Sequence, residues 1–198
     1  MKFVPDYRNL ENAARNITPE RYPLYEHIIC TEMMEAVLGK QFSHHFSGDF
    51  NGKKEFFRNY CEFFKAMGYD TVSFEACIGP VMPGSGSLGG HKEGEIKTRE
   101  DFEEYPWDEI PDLYFKAYSE QFRALRDVMP EGMKAVGGVG NGIFECVQDI
   151  TGYMDLCIMS VEDPDLYADL FKKVGETNLK IWERFMAEFS DIYCVLRF

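Results

Sequence analysis

The chain has 198 residues, with 34 acidic against 21 basic side chains and a net charge of −13; 45% of residues are hydrophobic and 15% aromatic, including 17 Phe and 11 Tyr. That composition excludes a disordered chain, and the negative charge opposes both a nucleic-acid backbone and an anionic membrane surface, leaving a small-molecule substrate or a protein partner. No apolar run approaches the roughly 20 residues that span a bilayer, and the N-terminus MKFVPDYRNLENAARN lacks a secretory apolar core, so a cytoplasmic protein is expected.

After an N-terminal helical extension over residues 1–17, the segment from Thr18 to Gly39 passes through Tyr22-Pro23-Leu24-Tyr25 into a helical pattern at about Thr31 to Leu38. It reads as a short strand followed by a short helix. Between Lys53 and Met67, Phe56, Phe57, Tyr60, Phe63, Phe64 and Met67 fall at spacings of three and four, an apolar helical stripe that Gly68 ends. Thr71 to Phe74 is β-prone and is followed by Glu75 and a long Gly- and Pro-rich stretch, ACIGPVMPGSGSLGGHKEGE. Loops of that length tend to bind or cover ligands.

A second helical stripe runs from Leu113 to Val128, and Met133 to Val139 is the next strand. It leads through a glycine-rich turn into a helix over about Ile143 to Ile150. Asp163 is placed to cap, and Pro164 to begin, a helix that runs to about Phe189; Ile192 to Phe198, IYCVLRF, is a final strand. Strands alternating with helices predict an α/β fold with a parallel sheet. The six cysteines show no CxxC pair and read as reduced core thiols, with no metal site.

Ala135 to Gly152, AVGGVGNGIFECVQDITG, is the most informative stretch, because strand, glycine turn and helix in that order form a ligand-bearing βα loop. A dinucleotide fingerprint is excluded: counting from Gly138 through Gly140, the third required glycine falls on Ile143. The glycines then mean that backbone closely approaches a ligand or a neighbouring strand. Gly140, Asn141, Gly142 and Gln148 are candidate substrate contacts, and the amides at the helix start could hold a carboxylate. Glu75, at a strand end between apolar Phe74 and Ala76, is a candidate for proton transfer or substrate orientation, with a raised pKa as one consequence of its neighbours. Glu26 and His27 could line the same mouth as an acid and a base or as metal ligands, and His91 lies on the long loop, where it could cover or touch a ligand. His44-His45 lacks a third ligand and reads as a surface pair.

In the order RYPLYEH, then GYDTVSFEACIGP, then GGVGNGIFECVQDITGYMDLC with EDPDLYADLFKKV, the chain resembles the uroporphyrinogen decarboxylase superfamily over about Thr18 to Phe198. The resemblance implies a (β/α)8 barrel of the TIM type, of which this chain would be one incomplete domain with about the first four βα units. Open sheet edges would then favour self-association. It also places Glu75 where the decarboxylases carry a catalytic Asp, and Gln148 where they carry a substrate-facing Tyr. Their arginine-bearing motif after the first strand aligns with EHIICT, Glu26 to Thr31, which has no arginine.

Those departures point to the methyltransferase-like branch, in which a methyl group passes from a corrinoid, carried by a corrinoid protein, to a thiol activated by zinc. The zinc ligands of that branch come from later strands, so no cofactor is expected within this chain, with zinc and corrinoid belonging to a full-length protein. Glu75 and His27 would be the catalytic residues, with Glu26, His91, Gly140, Asn141, Gly142 and Gln148 in substrate contact. Tetrapyrrole decarboxylation is the alternative activity, and a non-catalytic corrinoid- or porphyrin-binding barrel is the alternative class.

Overall fold

The structure, a computed structural model, describes residues 3–90 and 92–197. Among them the helices are α1 (Arg8–Ala14), α2 (Thr31–Leu38), α3 (Phe50–Ala66), α4 (Arg99–Glu104), α5 (Ile110–Val128), α6 (Ile143–Thr151), α7 (Tyr153–Glu162) and α8 (Pro164–Phe189). The strands are β1 (Thr71–Cys77), β2 (Lys134–Gly140) and β3 (Tyr193–Leu196), hydrogen-bonded in the order β1-β2-β3. β2 and β3 are parallel, with Ala135 opposite Tyr193, Val136 opposite Val195 and Gly137 opposite Leu196. The fold is mixed α/β with a small, open sheet, and among the described residues no helix is long and apolar enough to cross a membrane.

The expected strand at RYPLYEH is not formed: residues 22–30 hold no strand. Pro23 has no N–H to give a ladder, and the segment is tied to β1 by a side chain instead, the Ser73 hydroxyl donating to the Glu26 carbonyl. Two helices escaped the sequence reading. α4 is a short capped turn, in which Thr98 and Asp101 satisfy each other's backbone N–H groups at 2.9 and 3.2 Å. α7 is apolar nearly all round, leaving Tyr153, Met154, Ile158 and Val161 exposed, so no stripe marks it.

The chain divides into two compact units, Met1–Glu75 with Tyr118–Gly138 and Glu188–Arg197, and Ala76–Ala117 with Val139–Ala187. In the first, Asp49 caps α3 by accepting the Gly52 N–H at 2.8 Å, and the helix buries Phe56, Phe57, Phe63 and Phe64. Phe74 of β1 meets Phe57 at 4.9 Å and Phe122 at 5.8 Å between ring centroids. Because side chains alternate along a strand, Ser73 and Glu75 point to the opposite face. Gly137 has φ 131°, and a β-carbon there would run into the Phe74 carbonyl oxygen, so the backbones of β2 and β1 meet where no side chain fits. Asp70, 1% exposed, opens β1 and accepts the Asp6 N–H at 2.7 Å and the Asn9 amide at 3.3 Å while pairing with the Arg21 guanidinium.

Buried Glu35 accepts the Phe42 and Ser43 N–H groups, each at 2.6 Å. The Ser43 and Phe42 amides hold its carboxyl below the usual carboxylate range. A lowered folded value means that this carboxylate adds stability above the unfolded pKa and loses it as pH falls through the folded one. Urea midpoints of wild type and Glu35→Gln, followed from pH 6 to pH 3, are therefore expected to converge; a gap of constant size would show that the amides need no charge.

In the second unit, Asp163 caps α8 by accepting the Leu166 N–H at 2.9 Å, as expected. The core side of that helix includes Leu166, Leu170, Val174, Ile181 and Phe185. Gly152, φ 82°, turns the chain from α6 into α7.

Candidate functional site

Glu75 occupies the carboxyl-terminal part of β1, on the face away from Phe57 and Phe122. Its side chain is 18% exposed and pairs with the Arg197 guanidinium, while His27 Nε2 stands 3.8 Å from Oε1. Arg197 follows directly on β3; its backbone N–H donates to the Gly137 carbonyl at 2.9 Å, and Nη1 donates to the Tyr25 hydroxyl at 2.8 Å. Strand register thus sets the guanidinium, and residues 25–27 bring Tyr25 and His27 to the same carboxylate. Beside them is a cavity of about 270 Å³ lined by Leu10, Ala14, Tyr25, Val136, Val195, Leu196 and Arg197.

Two further phenols feel this carboxylate. Burial pushes Tyr60 and Tyr193 above the ordinary tyrosine value, and the Glu75 charge adds to both shifts, so both rings stay neutral. Phe74 turns toward α3 and α5, while the Glu75 carboxylate meets the Arg197 guanidinium and stands near the His27 imidazole. The arrangement suits a fixed anion that orients a substrate or accepts a proton, with half-exposed His27 as the outlet to solvent.

Of the other candidates in this unit, Glu26 is exposed and contributes its carbonyl to Ser73. His91 lies outside the described residues. In the second unit, the Gly140 carbonyl accepts the Ile78 N–H at 3.1 Å, and Asn141, in the left-handed region at φ 69°, accepts the Gly79 N–H on Oδ1 at 3.0 Å. Both hold the two turns that follow β1 and β2. The Gly142 N–H is taken by the Glu145 carboxylate at 2.7 Å, so the anion position that the sequence suggested at the start of α6 is filled by the protein's own side chain. Gln148 is half-buried, and its carbonyl accepts the Gly152 N–H at 2.8 Å.

Residue-type reasoning missed Asp149, Arg197 and Tyr25. Asp149 Oδ1 accepts the Gly86 and Leu88 N–H groups at 3.0 and 2.9 Å, and its carbonyl accepts that of Ser87 at 3.1 Å. The Ile150 carbonyl takes the Glu95 and Ile96 N–H groups at 2.7 and 3.1 Å, so the long Gly-rich loop is pinned to α6. Arg197 had a legible signal, being the only cation of IYCVLRF at the end of an expected strand.

Among the described residues no group of three or more His, Cys, Asp or Glu side chains could hold a metal ion. Burial pushes the Cys61 and Cys146 thiols up to about 12, so neither is a thiolate near neutral pH. These residues do not fit a zinc site. Comparison of the chain with protein-family models, with curated proteins and with solved structures found no match in any of the three.

Proposed function

We propose that the chain forms the first strands and helices of a cytoplasmic, uroporphyrinogen decarboxylase-like (β/α)8 barrel, and that the Glu75 cluster is its substrate site. The observation that carries this reading is the Glu75 carboxylate in the carboxyl-terminal half of β1, held by Arg197 just after β3 and bordered by an apolar cavity. Barrels of this kind use that end of the strands for catalysis. The branch favoured by the sequence resemblance transfers a methyl group from a corrinoid, brought by a corrinoid protein, to a thiol. Within it, Glu75 orients the substrate or accepts the thiol proton, and His27 passes that proton to solvent. No step is routed through zinc, which these residues do not fit. Arg197 favours one second reading, tetrapyrrole decarboxylation, because its guanidinium can take a substrate carboxylate.

The test uses hydroxocobalamin titration by absorbance, demethylation of methylcobalamin by a small thiol, and carbon dioxide release from uroporphyrinogen. In the full-length protein, wild type is expected to bind the corrinoid and demethylate it, and Glu75→Gln to lose about a hundredfold in demethylation rate. Carbon dioxide release without corrinoid binding would replace the first reading by the second. Binding without turnover would leave a binding barrel, and a negative result in all three assays would overturn both enzyme readings.

A further inference from the structure

We propose that the outer face of α8 is a docking surface for a second copy of this chain, the two α8 helices packing antiparallel about a two-fold axis. Besides the stripe that faces the core of the second unit, α8 carries another apolar stripe at helical spacing: Ala168, Phe171, Gly175, Leu179, Trp182 and Met186. Leu179 is 58% exposed, Met186 is exposed, and the patch widens onto the start of α6, where Ile143 and Phe144 are exposed as well. Phe144 stands 6.2 Å from Phe171 between ring centroids, and a β-carbon on Gly175 would meet Ile143 Cδ1 at 3.4 Å, so the two elements present one surface. A helix that is apolar on two sides has a second side to bury.

The order of residues along the stripe identifies the occupant as the same helix reversed. With the axis near residue 177, small meets large: Gly175 faces the partner's Leu179, Ala168 faces the partner's Met186, and Phe171 faces the partner's Trp182, each pair recurring across the axis. Leu179 is then a knob over the gap at Gly175, where a cavity bordered by Ile143, Gly175, Leu179 and Trp182 opens. Glycine inside a helix is disfavoured relative to alanine, and no backbone of another described segment lies within 4 Å of a β-carbon built on Gly175, so a close approach from outside accounts for it. Charge agrees with the same reversal. Lys172 and Glu183, both exposed, flank the stripe on one side; lying about 17 Å apart along the helix they cannot pair within one copy, but each Lys172 comes beside the partner's Glu183. A parallel pair would set glycine on glycine and lysine on lysine, leaving a gap and two repulsions.

A face this narrow, smaller than the roughly 20 to 30 residues a side of a standard interface, makes a weak dimer, with a dissociation constant of about 10–100 μM. Sedimentation equilibrium of the full chain between about 5 and 300 μM is expected to show a monomer–dimer equilibrium in that range. Leu179→Lys, at an exposed position, should keep the melting temperature and weaken the dimer about tenfold. Lys172→Glu and Glu183→Lys should each weaken it about fivefold, since each sets like charges opposite one another twice. An equimolar mixture of those two variants should dimerise within about twofold of wild type, because opposite charges then meet at both ends of the pair. Recovery on mixing can arise only across two copies. A wild type that stays monomeric at the highest concentration, association that Leu179→Lys leaves unchanged, as pairing through open sheet edges would be, or a mixture no tighter than its components overturns the proposal.

Discussion

Asp70→Ala is expected to lower the unfolding free energy by about 3 kcal/mol, a large share of the stability of a domain of this size. Asp70 is 1% exposed and accepts from three parts of the N-terminal segment: the Asp6 backbone, the Asn9 amide and the Arg21 guanidinium. Removing the carboxylate strands the part-buried Asp6 N–H and the buried Asn9 amide and releases the segment from the start of β1. Arg21 is 43% exposed and recovers water, so the unpaired cation adds little to the loss. With a urea slope of about 2 kcal/mol/M, the midpoint should fall by about 1.5 M. Asp70→Asn, which keeps one acceptor, should lose less. A midpoint change for the alanine variant below about 0.5 M would mean that the clasp contributes no more than an exposed ion pair.

Gly137→Ala should be still more damaging, because two independent penalties coincide. The left-handed φ of 131° disfavours any L side chain, and the added β-carbon would collide with the Phe74 carbonyl, a backbone atom that moves only if β1 moves. Together they are expected to cost more than about 3 kcal/mol. Gly39→Ala is the control: its φ is 64° and nothing lies within 4 Å of the added atom, so it should cost only about 1–2 kcal/mol. The damage should also reach the site. The Gly137 carbonyl accepts the Arg197 N–H at 2.9 Å, so a shift of β2 carries the guanidinium away from Glu75. Thermal melts followed by circular dichroism measure the stability, and, on the proposed function, hydroxocobalamin titration of the full-length protein reads the site. Equal melting temperatures for the two alanine variants would show that β1 and β2 have room to separate.

The alternation of strands and helices was readable because each element carries its own period and punctuation. The Phe stripe of α3, ended by Gly68, and the Asp163-Pro164 start of α8 are decided by neighbours within a turn of helix. The same locality found the strand that carries Glu75, although β1 runs on through Cys77, so that Glu75 lies within the strand and not at its end. The strand expected at RYPLYEH failed because a strand is a pairing of two segments, and Pro23 together with the Ser73 side-chain bond leaves no ladder there. Gln148 was singled out in α6 while its neighbour Asp149 pins the long loop, since the residues it binds are more than sixty positions away and leave no local mark.

The sequence by itself determined the α/β class, most helix limits, the net negative charge, and the meaning of the glycine run as a close backbone approach. Only the tertiary structure decided that the approach at Gly137 is to the Phe74 carbonyl of a neighbouring strand, and that Glu75 faces Arg197, 122 positions along the chain. The physical reason is range: propensity, capping and periodicity act within a few residues, whereas a carboxylate's electrostatic surroundings depend on which distant charges the packed strands bring beside it.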